Sequence, residues 1–235
     1  YLTVFDDWVF TDEYANDILT RHFNTNSLKG FGVDDFPKGI IAAGAAIHYL
    51  HETQHDKISY ISSLSRIDQG QFVWLDKFTI RNLELLHSSN AGAKTLIDVI
   101  DKTTSPMGSR LMRRWLSLPL KNKEQIMARY DVVDFFVNNN NLISTFQDAI
   151  RQVGDLERLI SKVSLLRVNP RELLQVAKAL DQIEIIKNFC LENCGSSLQL
   201  YAEQLNVCDS IRQKIKKYLN PDSPALLSKG NYIND

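Results

Sequence analysis

A chain of 235 residues can bury the core of one large domain or two small ones. Its 27 Lys and Arg against 28 Asp and Glu leave a formal net charge of -1. That balance excludes a strongly basic protein, but not a neutral part of a larger nucleic-acid machine. Three cysteines, Cys190, Cys194 and Cys208, are too few and too clustered for a disulfide framework. Cys190 and Cys194 have the i, i+4 spacing to pair or to bind metal, and the plainer reading is reduced packing thiols in a cytoplasmic protein. No apolar run approaches a membrane span and no signal peptide opens the chain.

In chain order, YLTVF reads as a short strand. TDEYANDILTRHF reads as a helix with Thr11 as N-cap, Asp12 and Glu13 at its positive end, and Tyr14, Ile18 and Phe23 inward. NTNSLKGFGVDDFP is rich in turn formers, and Asp34 and Asp35 are placed to cap the helix that starts at Pro37. The small, apolar first half of PKGIIAAGAAIHYLHET predicts close packing on a neighbour. KISYISSLSRIDQGQFVWLD alternates about DQGQ, which predicts a hairpin.

From Asp76 onward the period is helical. Ser105 caps SPMGSRLMRRWLSL with Pro106 at N1. Asn122 caps NKEQIMARYDVVDFF, with Gln125 at the capping-box offset. Leu156, Leu159, Ile160 and Val163 form one stripe in DLERLISKVSLL. Asn169, Pro170 and Glu172 open NPRELLQVAKALDQIEIIKNF. LQLYAEQLNVCDSIRQKIKKYLN then runs as helix to Pro221, and NNNN at 138–141 reads as an interhelical turn. A start at YLTVF without Met and an end at KGNYIND predict a piece cut from a longer chain.

Candidate chemistry is sparse. HETQH at 51–55 has the H-E-x-x-H spacing of zinc peptidases, with His51 and His55 as ligands and Glu52 as general base. The extended form of that motif wants Gly and His where Ile58 and Ile61 stand, and the plainer reading is a polar last helical turn. His48 could join His51 on one face. No G-x-S-x-G, phosphate loop or G-x-G-x-x-G occurs. Arg110, Arg113 and Arg114 share one helix face. Arg212, Lys214, Lys216 and Lys217 form a second basic cluster. Without interleaved aromatics both read as solvated faces with intramolecular ion pairs.

LDKFTIRNLELL carries L-D-x-x-T-x-R-N-L-E-L on Leu75, Asp76, Thr79, Arg81, Asn82, Leu83, Glu84 and Leu85. DKTTSPMGSRLMRRWLSLPL carries a second ordered pattern through Asp101, Thr103, Ser105, Pro106, Met107, Gly108, Arg110, Met112, Trp115, Leu116, Pro119 and Leu120. With VGDLERL at 153–159, NPREL at 169–173 and SLKGFGVDDFPKGIIAAGAAIHYLHETQ upstream, the chain resembles the bacterial branch of the MutS family of DNA mismatch-repair ATPases. Lys162 departs from the Arg that the family often has after LERL.

The resemblance implies a mainly α fold. It would comprise the C-terminal part of an α/β, RNase H-like connector domain over 1–55, then a multi-helix core or lever domain over 56–235 with a small hairpin, ending before the clamp insertion. It also implies a piece without catalysis or cofactor of its own. In the complete protein, ATP and Mg would sit in an ATPase domain beyond Asp235, and mismatched DNA would be read by a domain before Tyr1. The implied partners are DNA, the clamp and ATPase domains, a second copy and a MutL-type protein, with no membrane. Asp76, Arg81, Asn82, Met107, Gly108, Arg110, Trp115, Asp155 and Arg158 are the structural or coupling candidates. Trp115 would be a large packing anchor, with its ring in the core if truncation is to be costly, and Arg110 would hold a neighbouring carboxylate or carbonyl. A zinc metallopeptidase piece and a helical protein-binding scaffold are the alternatives.

Overall fold

The computed structural model describes residues 4–54, 58–66, 70–90, 92–193, 196–224, 228 and 230–234. They fall into two compact units, 1–68 and 69–235. The fold is mainly helical, and the only β pairing among the described residues is a pair of isolated bridges, Phe72 with Leu120 and Leu219 with Ile233.

The first unit is built on helices α1 (Asp12–His22) and α2 (Pro37–Gln54). The Thr11 hydroxyl accepts the Tyr14 N–H, so α1 starts where its cap predicts. Ala15, Ile18 and Leu19 of α1 meet Ile40 and Ile47 of α2, and Leu28, Val33 and Ile58 complete the core. The helices approach closely because Gly44 has no side chain: a methyl group there would lie 2.7 Å from the Cα of Ala15. The small-residue half of α2 is therefore a packing surface.

Asp34 and Asp35 do not cap α2. The N-cap position is Phe36, whose carbonyl accepts the Gly39 and Ile40 N–H groups. The Asp35 carboxylate turns instead to Arg66 at 2.8 Å, and the Arg66 guanidinium also lies 5.0 Å from the Phe36 ring centre. The strand expected at YLTVF falls partly outside the described residues, and Val4 and Phe5 join no ladder.

In the second unit, α3 (Lys77–Asn82), α4 (Leu96–Ile100) and α5 (Pro106–Ser117) precede α6 (Lys123–Asn138) and α7 (Asn140–Val153). There follow α8 (Leu156–Ser164), α9 (Pro170–Asn193), α10 (Ser196–Gln204) and α11 (Asp209–Tyr218). The long α9 is the spine, with α7, α8, α10 and α11 packed along it. Phe135, Phe136, Phe146 and Phe189 stack in sequence with centres 5.0–5.2 Å apart, beside buried Cys190, Leu198 and Ala202.

Two further expectations change. Residues 58–66 form no strand, and the turn residues Asp68 and Gln69 lie outside the described set. Phe72 pairs with Leu120 instead: the Val73 N–H donates to the Pro119 carbonyl and the Lys121 N–H to the Gln71 carbonyl. The extended run after α5 supplies the partner that a hairpin would have supplied.

The helix expected to run unbroken to Pro221 is also divided. The Asn206 side chain accepts the Cys208 N–H at 2.9 Å, and Cys208 takes a left-handed φ of 49°. A side-chain acceptor that competes for backbone N–H ends α10 and lets α11 start afresh. At 138–141 the chain needs only Asn139 to pass from α6 to α7.

Candidate coupling site

The pattern around SPMGSR builds a polar knot at the start of α5. The Asp101 carboxylate accepts the Thr103 N–H and hydroxyl and the Ser109 hydroxyl, at 3.0, 2.6 and 2.5 Å. These hydrogen bonds, Ser109 first, hold the Asp101 carboxyl down at about 2. The Ser105 hydroxyl caps α5 by accepting the Gly108 N–H. A methyl group on Gly108 would come within 3.1 Å of the Thr103 Cβ, so the glycine keeps the knot closed. Met107 stands half-buried beside it in the first turn.

One turn further, Arg110 spans from α5 to the N-terminus of α8. Its Nη2 lies 2.6 Å from both Asp155 Oδ1 and Glu157 Oε2. Asp155 is also the N-cap of α8, accepting the Arg158 N–H at 3.2 Å. One carboxylate therefore starts α8 and fastens it to α5. The hydrogen bond from Arg110 is the main cause that holds the Asp155 carboxyl below its ordinary range.

The arrangement repeats at the next junction. Asn169 and Glu172 form a reciprocal capping box at the start of α9, and Lys162 of α8 pairs with the Glu172 carboxylate. Lys162 lowers the Glu172 carboxyl first, and the Asn169 N–H adds to it. Since Lys162 makes the clasp as a point charge, the departure from Arg does not empty the position. Further along α9, Asp181 and Glu184 take Arg212, and Asp181 takes Lys216 at 2.6 Å. The second basic cluster is thus partly consumed by ion pairs. A line of charged clasps joins α5, α8, α9 and α11.

Of the sequence-derived candidates, the structure unites Arg110, Asp155 and, through its backbone, Arg158. Asp76 caps α3 by accepting the Thr79 N–H at 2.6 Å. Arg81 lines a separate cleft of about 320 Å³ with Lys77, His87 and Ser88, and Asn82 ends α3 exposed. Trp115 is 39% exposed, so it is not the core anchor expected. Its ring is covered on one side by the Arg129 guanidinium, 3.6 Å from the ring centre. Glu157 carries a clasp without having been singled out, while Lys162 and Glu172, read from the sequence only as a departure and a helix start, pair with each other. The acidic residue two beyond the Asp155 cap was the readable sign.

Residues 51–54 of HETQH form the last turn of α2. His51 and Glu52 are exposed and His55 falls outside the described residues. His48 does not turn toward His51: its Nδ1 is 2.7 Å from the Tyr14 hydroxyl, with the Phe5 and Trp8 rings edge-on. Among the described residues no three His, Cys, Asp or Glu converge as a metal ion would require. No helix among them is long and apolar enough to cross a membrane.

Helices α5, α8, α9 and α11 of the second unit are thus fastened to one another by charged clasps. The chain belongs to the MutS family: residues 78–235 match the model of MutS domain III and residues 1–62 that of MutS domain II. It is 49% identical over 228 residues to the DNA mismatch repair protein MutS of Flavobacterium psychrophilum, covering 97% of this chain and 26% of that protein. The MutS protein of Bacteroides thetaiotaomicron is 49% identical over 230 residues, which is 98% of this chain and 27% of the relative. The chain thus spans about a quarter of the relatives that it matches.

Proposed function

We propose that this chain is the connector-end and core portion of a mismatch-repair ATPase, and that its helical core transmits position between a DNA-gripping clamp and an ATPase domain. The observation that carries the reading is the Arg110 clasp, which ties α5 to the cap of α8 within the segment matched to domain III. Rigid helices joined at their ends by ion pairs move as levers, and their clasps can differ between two states. The unit 1–68 and the matched ranges support a junction between connector and core in the segment after α2.

On this reading the portion performs no chemistry itself. In the complete protein, ATP and Mg belong to the ATPase domain, the binding partner is mismatched DNA, and the active form is a cytoplasmic dimer that engages a MutL-type protein. The test is a complete protein carrying Arg110→Ala. Mismatched DNA should still bind, while its stimulation of ATP turnover falls several-fold. Full stimulation in that variant would remove the proposed relay.

A further inference from the structure

Along its exposed face, the first half of α9 presents Arg171, Gln175 and Lys178, at i, i+4 and i+7. That spacing places the two cations about 10 Å apart along the axis, on one side of the helix. Neither makes an ion pair or side-chain hydrogen bond among the described residues. The acidic half of the same helix behaves differently, since Asp181 and Glu184 are matched by Arg212 and Lys216. Glu172 on this half of α9 is taken by Lys162, so among the described residues Arg171 and Lys178 keep their charges unpaired.

These residues do not stand on an open surface. They form one wall of a cleft of about 460 Å³ whose other wall is the turn Pro221–Pro224. That turn is held from behind. The Ser223 side chain is buried, and its hydroxyl donates to the Asn220 carbonyl at 2.5 Å and to the Tyr232 carbonyl at 3.3 Å. The Asp222 N–H donates to Asn220 Oδ1 at 3.0 Å, and the Asn220 N–H donates to the Tyr232 carbonyl. Two prolines and this network fix the wall, so a ligand meets a cleft that is already shaped.

The charge in the cleft selects the ligand. Arg171 and Lys178 contribute two positive charges and Asp222 one negative, which leaves a surplus of one. A guanidinium fork, an ammonium and an amide on one face are donors suited to phosphoryl oxygens. We infer that the cleft between α9 and the Pro221–Pro224 turn binds a phosphoryl anion, held by Arg171 and Lys178 with Gln175 between them. Asp222 tunes the site against higher charge, so a singly charged phosphodiester or monobasic phosphate fits best. The source is either free phosphate or a nucleic-acid backbone, which present the same group.

The test is a backbone and side-chain amide NMR titration of the 235-residue chain, exchanging chloride for inorganic phosphate at constant ionic strength. Saturable shifts should localise to the Gln175 amide and to Asp222 and Ser223. The Arg171→Gln/Lys178→Gln variant should weaken binding about tenfold or more, as loss of charged hydrogen bonds requires. Asp222→Asn should tighten it, a sign that general surface charge would not single out at this position. A DNA duplex that displaces the phosphate assigns the site to a nucleic-acid backbone, and saturable phosphate binding without displacement assigns it to free phosphate. Shifts scattered over many lysines without saturation, or an unchanged response in the double variant with native amide dispersion, overturn the inference.

Discussion

At the scale of single residues, Asp101 shows how a polar group supports the fold without burial. Its carboxyl is held at about 2 against an ordinary 3.8 because three donors favour the ionised form. A depressed carboxyl contributes stability that is present above the unfolded value and lost as pH falls from about 4 towards 2. Asp101→Asn should therefore lower the melting temperature at pH 7, with the difference from the parent shrinking as pH is brought down to 2. A pH series of thermal melts for both proteins checks this.

Gly44 makes a steric claim at the same scale. A methyl group 2.7 Å from the Ala15 Cα meets backbone, not a flexible side-chain end. Gly44→Ala should destabilise the first unit by about 1–3 kcal/mol, read by denaturant unfolding. Trp115 carries a smaller expectation than a core tryptophan. Its ring is partly exposed and stacked under Arg129, so a Trp115→Ala/Arg129→Ala double-mutant cycle should return about 0.5–1 kcal/mol of coupling. The amphipathic WL of the pattern could be read as core from the sequence; the covering guanidinium, which comes from another helix, could not.

At the scale of elements, the helix starts were legible because caps are local chemistry. Thr11, Ser105, Asn122 and Asn169 each accept the N–H three residues ahead, within one turn of sequence. What failed needed information from further away. The strand-like residues near Phe72 found their partner at Leu120, and Asp35 left its expected cap for Arg66. The break at Cys208 was local, but it turned on the Asn206 side chain taking a backbone N–H that the helical pattern had reserved.

The clasps belong to this scale too. Arg110→Ala and Asp155→Ala should lower the melting temperature by non-additive amounts, because each breaks the same link between α5 and α8. Asp155→Ala should cost more than Arg110→Ala, since it also removes the cap of α8. Both partners are partly exposed, so high salt should reduce the coupling. Equal, additive losses would show that the link does not hold the helices together.

At the scale of the whole molecule, membership in the MutS family rested on ordered patterns spread over most of the chain, and the domain models match those stretches. HETQH was five residues without the assembly around them: His48 is engaged by Tyr14, and His51 is exposed. The clasps that give the core its proposed role were only half legible, because sequence offers Arg110 and Asp155 separately and only folding brings them within 2.6 Å.

The proposed role of the charged clasps is to carry a signal between DNA and ATP. It is tested most directly by measuring mismatch-stimulated ATP turnover in a complete family protein bearing this segment with Arg110→Ala, beside its DNA affinity and basal turnover. Affinity and basal turnover should stay within about twofold while stimulation falls several-fold, about fivefold or more, the size of a typical coupling free energy. Stimulation equal to the parent's, with Arg110 absent and the protein folded, would contradict it.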